Sequence, residues 1–260
     1  MVPMLTFPIL ADLPGIRHGV FGRAGGISPA PWDSLNLGLN TGDEVENVIE
    51  NRSRLLGTLA GEQEHPLRGF FLNQVHGRKV LVLRNGEDGV LDYWEPGKAK
   101  PVHRADAMVT NVRYMALVIQ VADCQAVLLA DPVQRVVAAV HSGWRGSLLD
   151  IIGATVQTME REFGCDPGNI RVGISPSLGP CCGEFVNYRD EIPEKLWKYK
   201  APDRDDFDFW ALSRDQLTAQ GVPMENIAIA NCCTRCESKQ YFSYRKQRVT
   251  GRFGAAVSLV

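Results

Sequence analysis

Three side chains with an affinity for metal ions stand at the ends of apolar runs in this sequence. His76 closes "FLNQVHG", Cys124 opens the run in "VADCQAV", and His141 closes "AAVHSGW". Strand rims suit open sites, because the sheet holds the ligands still while loops around them adapt. Two imidazoles and a thiolate suit zinc, and three protein ligands leave a fourth coordination position for water or substrate, as in catalytic zinc sites. The same donor set occurs in blue-copper proteins. The spacing 76, 124, 141 matches no compact metal-binding pattern. A second reading of the same residues therefore stays open, in which Cys124 is a small buried hydrophobe and the histidines are hydrogen-bonded loop residues. Asp123 adjoins Cys124. It is either a proton carrier or carboxylate partner of a ligating histidine, or a turn residue at a strand entrance.

Anion chemistry would need backbone N–H groups or an arginine fork. Arg145, in "SGWRG", stands at the start of an expected helix. Arg23 lies in the long stretch "GRAGGISPAPWDSLNLGLNTGD" at 22–43, which is rich in Gly, Pro, Ser and Asn and reads as a loop. Each arginine is a candidate phosphate ligand or a solvated surface residue. "GRAGG" lacks the Gly-x-x-x-x-Gly-Lys pattern of a phosphate loop. Near the C-terminus, Cys233 and Cys236 make a C-x-x-C. Such a pair could be half of a zinc ribbon or a redox pair, but with no second C-x-x-C, and only the adjacent pair Cys181-Cys182 as partner, these read with Cys232 as reduced, partly buried thiols. Trp144, Tyr241, Phe242 and Tyr244 read as packing aromatics.

The elements that must position these residues follow from hydrophobic periodicity. Runs rich in Val, Leu and Ile predict strands at 69–75, 79–84, 106–110, 114–121, 125–130 and 135–140, with shorter ones at 170–174, 226–230 and 254–259. Helices are expected at 43–60, 146–163, 187–198 and 210–220. Leu148, Ile151, Ile152, Val156 and Met159 form the apolar face of the second, and Gly164 is its stop. Strands outnumber helices before residue 140, and short turns join them. The expected fold class is α/β (α+β), with mixed sheets and helices packed outside, as a single domain over residues 1–260.

Composition narrows the function classes. Of the 260 residues, 45% are hydrophobic and 22% charged, as in ordinary globular enzymes, and a net charge of -2 gives no basic stripe for nucleic acid or an anionic membrane. No run has the length of a transmembrane helix. The stretch "MVPMLTFPILADLPGIRHG" lacks the basic leader of a signal peptide, so a cytoplasmic location is expected. Seven cysteines, an odd number in such a chain, argue for reduced thiols or metal ligands over a disulfide framework.

The neighbourhoods of the candidate ligands, "NQVHG", "ADC", "HSGWRG", "GPCCGEF" and "CCTRCESKQYFSYRKQRVTGR", occur in this order after "RAGGIS", "SLNLG" and "GD". Together they closely resemble the laccase-domain family, historically multicopper polyphenol oxidases and now regarded as zinc-containing purine nucleoside phosphorylases. The resemblance runs from about His18 to the C-terminus. "HSGWRG" has serine where the family usually has alanine. The resemblance implies that His76, Cys124 and His141 bind the metal, that adenosine, inosine and methylthioadenosine undergo phosphorolysis, and that adenosine deaminase activity accompanies it. It also implies sheets sandwiched between helices. The expected cofactor is zinc, with copper taken up in vitro, and the expected partners are purine nucleosides and phosphate.

Three alternatives stand beside this reading. A copper-dependent polyphenol oxidase would need more than the five histidines present and His-x-His pairs, of which there are none. A hydrolase would use Cys124 as nucleophile and His141 as base. A non-enzymatic binding domain would need a fourth protein ligand, such as Asp123 or Cys233, to close the metal site.

Overall fold

A computed structural model of the chain describes residues 2–62, 65–84 and 103–260. The chain enters through β1 (Met4–Leu5), the one-turn helix α1 (Pro8–Ala11) and β2 (Ile16–Phe21), then reaches α2 (Val45–Ala60). Six strands follow: β3 (Arg68–Phe71), β4 (Val80–Leu83), β5 (Ala107–Thr110), β6 (Met115–Val121), β7 (Gln125–Asp131) and β8 (Val136–Ser142). Beyond β8, and apart from short 3-10 turns, come α3 (Trp144–Leu148), α4 (Ile151–Phe163), β9 (Arg171–Ile174), α5 (Tyr188–Glu191), α6 (Phe209–Ala219), β10 (Ile227–Ile229) and β11 (Phe253–Leu259).

The strands form two mixed sheets. One has the order β1-β2-β11-β6-β3, the other β10-β9-β7-β8-β5-β4. Antiparallel pairs occupy the middle of each (β11 with β2 and β6; β7 with β8 and β9; β5 with β8); the edge pairs are parallel (β3 with β6; β4 with β5; β9 with β10) except β1 with β2, which is antiparallel.

Side-chain alternation explains the layering. Leu117, Ile119, Val121, Phe253, Ala255 and Val257 of the first sheet share one buried cluster with Ala126, Leu128, Ala130, Val137 and Ala139 of the second, so the sheets pack face to face. The alternate residues Val127, Leu129, Val136, Ala138 and Val140 face outward onto Ile152, Val156 and Met159 of α4. Ala116, Val118 and Ala256 likewise meet Leu55, Leu56 and Leu59 of α2. The expected mixed sheets between outer helices are thus the architecture observed. Strands buried on both faces explain the near-continuous apolar runs.

Three local expectations are corrected. The helix expected over 146–163 is two helices, because Asp150 adopts a left-handed backbone (φ 55) and its carboxylate accepts from the Gly153 N–H, capping α4 anew. The helix expected over 187–198 is interrupted at Pro193, leaving α5 and a 3-10 turn over Glu194–Tyr199. The strand expected over 69–75 ends at Phe71, so His76 lies in a loop beyond it. Sequence patterning also passes over β2, whose "IRHGVF" mixes polar residues and glycine into a strand paired with β11 along its whole length. Its His18 is a core residue: burial lowers the imidazole to about 4, leaving it neutral to accept from the Phe7 N–H at 2.7 Å.

Candidate metal centre

The two sheets bring His76, Cys124 and His141 together at one end. His141 is the penultimate residue of β8, Cys124 immediately precedes β7, and the two strands pair with Ala126 opposite His141. His76 comes from the loop between β3 and β4. One ligand atom from each of the three lies within 4.8 Å of the others. Cys124 Sγ stands 3.9 Å from His76 Nε2, and the two imidazoles meet edge to face with centroids 4.7 Å apart. Tetrahedral zinc with bonds of about 2.1 Å to nitrogen and 2.3 Å to sulfur separates such atoms by about 3.6 Å, so the donors fit a metal with small adjustment.

Asp106, unremarked in the sequence reading, organises the site. It is fully buried one residue before β5, and its Oδ1 lies 2.8 Å from His141 Nδ1. That contact directs the other ring nitrogen of His141 toward the cluster. The same carboxylate accepts from the backbone N–H groups of Val75 (3.0 Å), His76 (2.8 Å) and Gly77 (2.7 Å), so it also shapes the loop carrying His76. His76 itself has φ 59, a left-handed conformation that lets three successive N–H groups converge on one anion. A sequence signal did exist: an acidic residue entering an otherwise apolar strand in "ADAMV", just as Asp123 precedes the strand in "ADCQAV".

Electrostatics polarise the trio. Burial by itself would raise the Cys124 thiol, but His141, and then His76, outweigh it and bring the group down to about 6. Burial opposes the charged form of His141 too, but Cys124 and Asp106 lift it to about 9. Asp106 stays below its ordinary value despite burial, through the His141 contact and the N–H groups of Gly77 and His76. Both shifts run in the direction that favours the thiolate–imidazolium form of the pair, the form of the thiol that ligates metals.

Gly143 completes the packing. A Cβ there would lie 2.8 Å from His76 Cδ2 and 3.0 Å from Cys124 Sγ, so the close approach of ligands to backbone requires glycine. The burial of the three candidate donors is graded: His141 is buried, Cys124 half-buried and His76 exposed. The cluster thus opens on the His76 side. Among the described residues, no fourth His, Cys, Asp or Glu donor joins it.

The other expected site residues are placed as follows. Asp123 has both carboxylate oxygens engaged, accepting from Thr234 Oγ1 at 2.7 Å and the Arg245 N–H at 2.6 Å, and its carbonyl accepts from the Leu178 N–H. It gathers three loops beside Cys124. Arg145 is exposed on α3, with its guanidinium 4.5 Å over the Trp144 ring. Arg23 donates to the Asp33 carbonyl and carboxylate and to the Ser238 carbonyl, and lies 4.7 Å over Phe242, so its guanidinium ties the Gly-rich loop down. Arg252, another residue outside the sequence reading, is largely buried and interacts electrostatically with Cys124 and Asp123.

Comparison with known proteins finds relatives along nearly the whole chain. The family model described as multi-copper polyphenol oxidoreductase laccase matches residues 17–260. The chain is 32% identical over 254 residues to the purine nucleoside phosphorylase YlmD of Geobacillus stearothermophilus, covering 94% of this chain and 90% of that one. It is 34% identical over 247 residues to the purine nucleoside phosphorylase YfiH of Escherichia coli, covering 92% and 91%. Among solved structures, a Bacillus licheniformis hypothetical protein, YfiH, superposes with a TM-score of 0.85 at 26% identity, covering 100% of this chain and 97% of that one.

Proposed function

The chain belongs to the multi-copper polyphenol oxidoreductase laccase family, and from that premise we propose that it is a zinc-dependent purine nucleoside phosphorylase acting on adenosine, inosine and methylthioadenosine. The observation that carries the reading is the three-donor cluster of His76, Cys124 and His141, open on one side and closed on the other by Asp106. Relatives named purine nucleoside phosphorylase over nearly their whole length support it.

In phosphorolysis a phosphate oxygen bonds to the anomeric carbon of the ribose as the glycosidic bond breaks. The bonding electrons leave with the purine, which takes up a proton, and ribose 1-phosphate is released. When bound, zinc would supply Lewis acidity toward a substrate oxygen and, for the accompanying adenosine deamination, toward water. The residues of the chain do the rest of the positioning. Asp106 orients the His141 imidazole and the His76 loop, and Asp123 locks the loops flanking Cys124. Arg145 offers an exposed fork to phosphate, while Arg23 holds the Gly-rich loop against Phe242. Incubating the protein with adenosine and phosphate and separating the products tests the reading. Adenine and ribose 1-phosphate, formed only when phosphate is present, are expected. Free ribose formed without phosphate would overturn it.

The pairing of Cys124 with His141, backed by Asp106, favours one second reading: a cysteine hydrolase with these three as nucleophile, base and orienting acid. Chelation separates the two. Activity that disappears with the metal and returns with zinc belongs to the phosphorylase, whereas activity that survives chelation belongs to the hydrolase.

A further inference from the structure

We propose that Cys181, Cys182, Cys233 and Cys236 form a second metal site, a closed tetrathiolate centre for zinc that clasps two loops beside the first. In sequence the adjacent pair and the single C-x-x-C look mismatched, but the fold brings them together. All four sulfurs lie within 4.8 Å of one another. Cys236 Sγ is 3.7 Å from both Cys181 Sγ and Cys182 Sγ. Zinc–sulfur bonds of about 2.3 Å in a tetrahedron give sulfur–sulfur edges of about 3.8 Å, so these two edges have the length that zinc requires. They are far longer than a disulfide bond of about 2.05 Å, and all four cysteines are free.

The backbone explains how neighbours in sequence can share one ion. Gly179 to Cys182 form a tight turn closed by the Cys182 N–H to the Gly179 carbonyl at 2.9 Å, which lets both cysteine side chains converge on one point. The segment from Cys233 to Glu237 closes a second turn, with the Glu237 N–H on the Cys233 carbonyl at 2.9 Å. Cys233 Sγ accepts from the Gly179 N–H of the first turn at 3.4 Å, the kind of outer support a thiolate ligand receives. The Arg235 guanidinium lies against Cys182 and offsets part of the site's net charge of -2, which follows when four thiols release four protons to bind one Zn²⁺. Four protein ligands close the coordination sphere, so this centre is structural, in contrast with the open three-donor site.

The clasp has a purpose in the fold. Ser177 and Cys233 bridge the two loops, and Thr234, between the clasped cysteines, donates to Asp123 next to Cys124. The second metal therefore holds in place the segment that flanks the first. This inference does not depend on the reaction at the first site.

Zinc content of the full chain, purified without chelators, tests it. Two zinc ions per chain are expected in the wild type. The triple variant His76→Ala/Cys124→Ala/His141→Ala should keep one. Cys236→Ser, at an exposed position, should lose one and retain the other. If Cys236→Ser fails to fold, cobalt(II) added to the triple variant decides: a tetrahedral spectrum with intense sulfur-to-metal charge transfer supports the clasp. Absence of zinc and of that spectrum in the triple variant overturns the proposal. So does zinc content unchanged by Cys236→Ser in folded protein, or a disulfide among the four cysteines in freshly purified protein.

Discussion

At the scale of single residues, Asp106 and Cys124 set the character of the centre. Asp106 satisfies three backbone donors and one imidazole, so Asp106→Asn replaces an all-acceptor group with one that presents an N–H₂ to groups that donate. The expected result is a 10- to 100-fold loss of zinc affinity, roughly the range for removing such a partner, measured by competition with a chromophoric chelator. A destabilisation of about 1–3 kcal/mol in urea unfolding should accompany it. Cys124 carries the second expectation. Its thiol falls from 9.0 to about 6, which contributes stability present above pH 9.0 and lost as pH falls through about 6. His141 rises from 6.5 to about 9, which contributes stability present below pH 6.5 and lost as pH rises through about 9. Between those limits the folded pair holds one proton on the imidazole, and the unfolded pair holds one on the thiol. The proton counts match, so the pair adds no pH slope to stability there. In metal-free protein, the ultraviolet thiolate absorbance that disappears in Cys124→Ala should persist down to about pH 6. Titration of that absorbance near pH 9 would contradict the pairing.

At the scale of elements, the junction from β8 to α3 holds one candidate donor, the glycine that packs against the other two, and the candidate phosphate contact within five residues. His141 is the penultimate residue of the strand, Gly143 gives the candidate donors room, and Arg145 follows on α3. Gly143→Ala would set a methyl group 2.8 Å from His76 Cδ2. The His76 loop must then move, and loss of first-site zinc with an unchanged circular dichroism spectrum is expected. Full zinc content in that variant would show that the loop adapts. Arg145→Lys keeps the charge but not the two-pronged fork. It should keep the zinc and weaken phosphate binding by about tenfold, corresponding to about 1.4 kcal/mol, read as a raised KM for phosphate. Any deaminase activity, which uses no phosphate, should fall far less. Equal losses in both activities would point to a packing role on Trp144.

At the scale of the whole molecule, three apolar clusters hold the layers together without help from the first site: one between the sheets, and one under each of α4 and α2. Removing the first-site metal, as in Cys124→Ala, should therefore abolish activity while leaving the far-ultraviolet circular dichroism intact. Collapse of the spectrum in that variant would make the site structural. Among the described residues, no helix is long and apolar enough to cross a membrane.

The sequence by itself determined the layered architecture, because strands buried on both faces must be written as unbroken apolar runs, and β6, β7 and β8 are written so. It also marked Cys124 and His141 as candidate metal donors at the rims of such runs, with His76 in the loop beyond β3. Only the tertiary structure decided what stands behind and beside them. Asp106 lies 30 residues from His76 and 35 from His141, and no local pattern ties a buried carboxylate to the imidazole or loop amides it will meet. β2 was hidden because a strand's stability comes from its neighbours, here β11, more than from its own residues. The four clustered cysteines were hidden for the same reason. A turn at Gly179–Cys182 and another at Cys233–Glu237, more than 50 residues apart, meet only because β9 and β10 run side by side and deliver both loops to the same end of the sheet.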